Sequence, residues 1–144
     1  NWLMWDIQGA KVLDTCAGSG ALSFEALSRG AKHVVMIEPQ LEQVKFLRQN
    51  LQLLKIDHAQ ILTSKAQDAL LKLHESFDVV FLDPPYSLDL WHELSTLIDP
   101  LLHVNAYIYI EADRDLNTLK LPPSWQLTKQ TKAGTVRAGL FQKT

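Results

Sequence analysis

A single cysteine, Cys16, stands in the 144 residues, so no internal disulfide can form. One free thiol suits a reducing compartment, and a cytoplasmic protein is expected. As a side chain Cys16 reads as a small packing residue rather than a nucleophile. No Cys/His cluster has the spacing of zinc ligands, so no structural metal is implied. No apolar run approaches the roughly 20 residues of a membrane span. Neither sign of charge dominates: 14 Lys and Arg stand against 16 Asp and Glu, a net charge of −2. A domain that grips nucleic acid through its phosphates is ordinarily basic, so bulk charge gives no such grip here. Internal repeats and low-complexity segments are also absent. What remains is a chain with 47% apolar residues, enough for a core, read as one domain over 1–144.

Strand and helix patterns alternate, which argues for a mostly parallel sheet covered on both faces. Strands are expected at 11–14, 33–37, 60–63, 77–82 and 106–110. Helices are expected from Ala21 to about Arg29, over 40–54 and near 88–102, with a loop or short helix around 66–73. Apolar stripes are read at Leu22, Phe24 and Leu27; at Leu41, Val44, Leu47, Leu51 and Leu54; and at Leu90, Leu94, Leu97, Ile98 and Leu101. Pro122-Pro123 interrupts the pattern. After it, 125–131 and 135–142 flank Lys132-Ala133-Gly134 as a terminal antiparallel hairpin.

Two strand ends carry chemistry. Asp83-Pro84-Pro85-Tyr86 follows the apolar run Phe77–Leu82. Two prolines cannot continue a strand, so the chain turns sharply where open α/β sheets place their ligands. The turn offers a carboxylate, a prolyl carbonyl and an aromatic ring. That set can accept hydrogen bonds from an exocyclic NH2 and stack on the flat ring that carries it. Upstream, Val12-Leu13-Asp14-Thr15-Cys16-Ala17-Gly18-Ser19-Gly20 leads a short strand into a small-residue loop and a helix. Gly18 and Gly20 let backbone approach a ligand closely. Glu38 ends the second strand, where an acid can bind both hydroxyls of a ribose. A dinucleotide loop is the competing reading, but its third glycine position holds Ser23.

Taken together, these residues resemble the class I S-adenosylmethionine-dependent methyltransferases. Asp83–Tyr86 is similar to their amino-methyltransferase signature. "LDTCAGSGALSFEALSRGA" followed by "FLDPPY" resembles the bacterial 16S rRNA guanine-N2 methyltransferase (RsmD) family, with Thr15-Cys16 where that family usually reads Leu-Phe. The resemblance implies a Rossmann-like seven-stranded α/β sheet in the order 3-2-1-4-5-7-6, last strand antiparallel, with helices on both faces. It implies S-adenosyl-L-methionine bound by Asp14, Ala17, Gly18, Gly20, Glu38 and Asp68. Asp68 would contact the adenine amino group; as a plain residue it reads as an exposed helix N-cap. Asp14 is placed either to accept from the methionyl amine, directly or through water, or to orient the glycine loop. Asp83, Pro84 and Tyr86 would be catalytic, with no metal.

The implied substrate is guanine in 16S rRNA of the small ribosomal subunit, and the implied state a monomer. The family's basic N-terminal extension, to which docking is assigned, is expected to precede Asn1. The signature itself admits other planar amines: adenine N6 in DNA, or a glutamine amide. A non-catalytic cofactor-binding module is the alternative from another class. His33, His58, His74, His92 and His103 are scattered and read as solvated or packing residues. Tyr107 and Tyr109 read as packing, and Lys129, Lys132 and Arg137 as a solvated hairpin face.

Overall fold

The computed structural model describes residues 7–144. Seven strands form one sheet in the order β3-β2-β1-β4-β5-β7-β6. They are β1 (Lys11–Asp14), β2 (His33–Ile37), β3 (Ala59–Leu62), β4 (Phe77–Leu82), β5 (Leu102–Ala112), β6 (Trp125–Ala133) and β7 (Val136–Lys143). The first five are parallel, and β7 runs antiparallel to both β5 and β6. Fold and strand order are those the resemblance implied.

The short apolar strands are continuous because both faces of the sheet are covered. Leu13, Val35, Ile37, Val80, Leu82, Ile108 and Ile110 point to one face. There they meet α3 (Ala66–Lys72) and α4 (Trp91–Ile98). Val12, Val34, Met36, Val79 and Phe81 point to the other, against α1 (Ala21–Ser28) and α2 (Leu41–Leu53). Alternation along β4 thus sends every residue from Val79 to Leu82 into one core or the other, each at most 3% exposed.

Several helix expectations need correction. On α2 the buried stripe is Val44, Leu47 and Leu51, while Leu41 and Leu54 are exposed. Leu41 opens the helix, and Leu54 is its C-cap, where the helical path has ended and Lys55 takes a positive φ of 54°. The segment expected as one helix over 88–102 divides into a 3₁₀ turn (Tyr86–Leu88), α4 and a second 3₁₀ turn (Asp99–Leu101). Pro100 in that second turn explains the early end of α4. Trp91, absent from the expected stripe, is among the largest fully buried side chains. The hairpin turns at Gly134-Thr135, with Gly134 at φ 62°, so Lys132 and Ala133, expected in the turn, pair with Arg137 and Val136 inside the ladder.

Candidate active site

Neighbouring strands explain how residues far apart in sequence meet. β1 lies between β2 and β4, and all three run in the same direction. Their carboxyl ends therefore deliver the glycine loop, Glu38 and the Asp83 turn to one edge. A cavity of about 750 Å³ opens there. Its wall includes Cys16, Ala17, Gly18, Glu38, Asp83, Pro84 and Tyr86.

The loop after β1 is tied to both neighbouring strands. The Thr15 hydroxyl donates to the Phe81 carbonyl at 2.8 Å, clasping β1 to the end of β4. Thr15 is 1% exposed, and this bond satisfies a buried hydroxyl. Ala17 N–H donates to the Ile37 carbonyl at 3.0 Å on the other side. Glu38 completes the clasp: Oε1 accepts from Gly18 N–H and Oε2 from Gln40 N–H, each at 2.9 Å. Its carboxylate is thus held in one orientation by two backbone donors, and each oxygen retains acceptor capacity.

The two loop glycines serve different ends. Gly18 has φ 56°, and a side chain there would meet nothing within 4 Å, because that space is the cavity. Gly20 caps α1 with φ 82°, and a Cβ there would come within 2.5 Å of Leu47 Cδ2. Gly18 is an approach surface, and Gly20 is a packing necessity.

Asp14 lies outside the cavity wall, 2% exposed. Ser23 Oγ donates to its Oδ2 at 2.6 Å, so Asp14 fastens the first turn of α1 to the end of β1. The residue where a dinucleotide loop would place its third glycine is therefore the partner of Asp14. Burial pushes Asp14 up to about 6, against the Ser23 and Cys16 hydrogen bonds that lower it. Asp68 is exposed in the first turn of α3 and does not line the cavity, whereas Lys65, Ala66 and Gln67 do. Burial, with Asp14, Asp83 and Glu38 nearby, pushes the Cys16 thiol up to about 12. A thiol so protonated is a poor nucleophile.

At the other end of the cavity, Asp83 is pushed up to about 7, first by burial and then by the neighbouring carboxyl of Glu111. Tyr86 packs in a near-parallel stack on Trp91, ring centroids 6.0 Å apart at 21°. The Arg114 guanidinium covers Trp91 at 4.7 Å and is held by Asp89 and Asp113. Arg, Trp and Tyr form a brace that fixes the ring of Tyr86. Sequence reasoning missed Glu111, Trp91 and Arg114. The acid directly after the apolar run of β5 was the available signal for Glu111. None of the five histidines lines the cavity.

A glycine loop after the first strand and an Asp-Pro-Pro-Tyr turn after the fourth, sharing one cavity within this strand order, define the class: a Rossmann-like methyltransferase fold. Two solved structures carry the same fold. One, from Escherichia coli and described as the methyltransferase yhhF, superposes with a TM-score of 0.92 at 35% identity, covering 99% of this chain and 80% of that one. The other, described as a methylase from Haemophilus influenzae, gives 0.89 at 39% identity, covering 99% and 92%. The family described as "Conserved hypothetical protein 95" matches residues 1–142. Ribosomal RNA small subunit methyltransferase D of Haemophilus influenzae is 39% identical over 148 residues, spanning 99% of this chain and 76% of that protein. The chain belongs to this RsmD family of methyltransferases. No helix among the described residues is long and apolar enough to cross a membrane.

Proposed function

We propose that this chain transfers a methyl group from S-adenosyl-L-methionine to the exocyclic N2 amine of a guanine in small-subunit 16S rRNA. One observation carries the reading: the glycine loop and Glu38 share a single cavity with the Asp83–Tyr86 turn. A donor held at one end would present its methyl to an amine held at the other. The ribosomal RNA substrate named for its relatives supports the choice of acceptor.

The residues fit such a donor. Open space at Gly18 admits a ligand against the backbone, and Glu38 offers oriented acceptors to ribose hydroxyls. Asp68, or Gln67 in the cavity wall, is proposed to meet the adenine amino group. When bound, the sulfonium supplies an already activated methyl group, so no covalent enzyme intermediate is needed. Asp83 and the Pro84 carbonyl accept the amine's hydrogens and turn its lone pair toward the methyl. Tyr86, held by Trp91 and Arg114, stacks on the base, a contact worth about 1–3 kcal/mol. A paired or stacked guanine must first be extruded into the cavity. Catalysis is then positioning and electrostatics.

Tritiated methyl transfer to isolated small ribosomal subunits, naked rRNA, DNA and protein tests the reading. Label should enter ribosomal RNA as N2-methylguanine, and Asp83→Ala or Tyr86→Ala should remove it while cofactor affinity stays within a few-fold. Label in DNA adenine or in protein amide, or full turnover of Asp83→Ala, would overturn it.

A further inference from the structure

We propose that Glu111, at the end of β5, is a positioning residue of the transfer reaction: it shares a proton with Asp83, aims that carboxyl at the acceptor amine, and with it takes up the proton the amine sheds. The proposal rests on the amino-methyltransferase reading of the Asp83 turn.

The register of β4 and β5 creates the pair. Leu82 stands beside Ile110, so Asp83, the first residue past β4, and Glu111, still paired with Ala138 in the ladder, follow side by side. Asp83 lines the cavity, and Glu111 does not. That register brings the Glu111 carboxyl close enough to act on Asp83 as a like charge and as a hydrogen-bond partner, and a hydrogen bond between two carboxyls uses a proton. Glu111 is anchored from its own strand, because Tyr109 Oη donates to its Oε1 at 2.8 Å. Tyr109 is fixed in turn by its ring, edge-on to Phe81 at 6.2 Å. A chain of contacts therefore runs from the packed sheet through Tyr109 and Glu111 to Asp83.

The titratable groups around the pair are mostly acidic side chains. Asp14 and Cys16 face it from β1 and its loop, with Glu38 beyond them at the end of β2. Tyr86 and Asp113 stand at the rim. Lys65, before α3, is the one cation among the described residues that line the cavity, and Arg114 is engaged by Asp89 and Asp113. Nothing on this list neutralises Asp83 directly, so a proton does. Burial first, and then the Glu111 carboxyl beside it, pushes Asp83 up to about 7.

A carboxyl poised there suits the proton balance. The amine nitrogen uses its lone pair to form the new N–C bond and displaces the sulfonium's sulfur, which keeps the electrons of the broken C–S bond. The methylated nitrogen then carries one proton too many and gives it to the Asp83 carboxylate. The pair leaves the step with one proton more than it entered with, and releases it to solvent.

The test uses Glu111→Gln and Tyr109→Phe in the full chain, with two readouts. The first is the midpoint of the Asp83 side-chain carboxyl, followed by carbon NMR in cofactor-free protein, which needs no RNA substrate. Glu111→Gln should lower it by about one pH unit or more, because the like charge is gone. Tyr109→Phe should lower it as well, because Glu111, no longer held by the Tyr109 hydroxyl, keeps the shared proton in place of Asp83. The second is the pH profile of kcat on small ribosomal subunits. Its acid limb should follow the same two displacements, with KM for the methyl donor unchanged. An Asp83 midpoint unmoved in both variants would overturn the pairing. A moved midpoint with an unmoved acid limb would overturn the role in transfer. If methyl label entered only positions that are not amines, the amino-methyltransferase reading would fall, and the NMR midpoints would still decide the pairing.

Discussion

Replacing Glu38 by alanine should weaken both the fold and cofactor binding, and the two losses can be measured apart. The carboxylate is 6% exposed and accepts from Gly18 and Gln40 N–H at 2.9 Å. A hydrogen bond to a charged group contributes about 1.5–3 kcal/mol. Losing both gives an upper range of about 3–6 kcal/mol, reduced to the extent that water enters from the cavity. Against the roughly 5–15 kcal/mol of a typical domain, that is a large share of the stability. Denaturant unfolding without ligand reads this term. The second term is the ribose contact, about 1–3 kcal/mol, or roughly 5- to 150-fold in affinity. Calorimetric titration with S-adenosylmethionine or its demethylated product reads it, at a temperature where the variant remains folded. Glu38→Gln keeps one acceptor oxygen and should fall between wild type and alanine in both assays. Unchanged affinity in the alanine variant would refute the ribose assignment. Unchanged stability would refute the clasp between the glycine loop and the second strand. Tighter binding of a nicotinamide dinucleotide than of the sulfonium would overturn the choice of cofactor.

Asp14 binds its proton more tightly folded than unfolded, at about 6 against 3.8, so the stability it lends is full below about 3.8 and is lost as pH rises through about 6. At about 1.4 kcal/mol per pH unit the gap corresponds to about 3 kcal/mol. Asp14→Asn, which keeps an acceptor for Ser23, should therefore be more stable than wild type at pH 8 by about 1–3 kcal/mol and not at pH 4; denaturation midpoints equal at both would contradict the burial argument. Gly20→Ala should destabilise by about 2–4 kcal/mol, since φ 82° and the contact with buried Leu47 both oppose a methyl group. Gly18→Ala, with open space at its Cβ, should lose less stability but more cofactor affinity, and the reverse order would exchange the two glycines' roles. Arg114→Ala should loosen the stack of Tyr86 on Trp91, raising KM for the nucleic acid more than for the methyl donor; equal effects on both would show that the brace serves only the fold.

Much of this protein was legible along the chain. Apolar runs marked the central strands, because a strand buried on both faces leaves no room for polar residues, while the last two strands were read from the turn between them. The Asp14–Gly20 loop, Glu38 and the Asp83–Tyr86 turn were visible because each is a contiguous motif at a strand end, and such motifs carry their chemistry locally. The termini of the helices were less legible. Leu41 and Leu54 continue the α2 stripe in sequence, yet burial depends on where the sheet beneath the helix lies.

What only the tertiary structure decided are the pairings across strands and between layers. Asp83 and Glu111 are 28 positions apart and meet because β4 and β5 are adjacent and in one register. Asp14 and Ser23 meet because α1 folds back over β1. Arg114 covers Trp91, and Trp91 stacks on Tyr86, with Trp91 and Arg114 on opposite sides of β5 in the chain. None of these contacts has a local pattern, since each depends on strand order and register, and those are settled by the packing of the whole sheet rather than by any segment's own preferences.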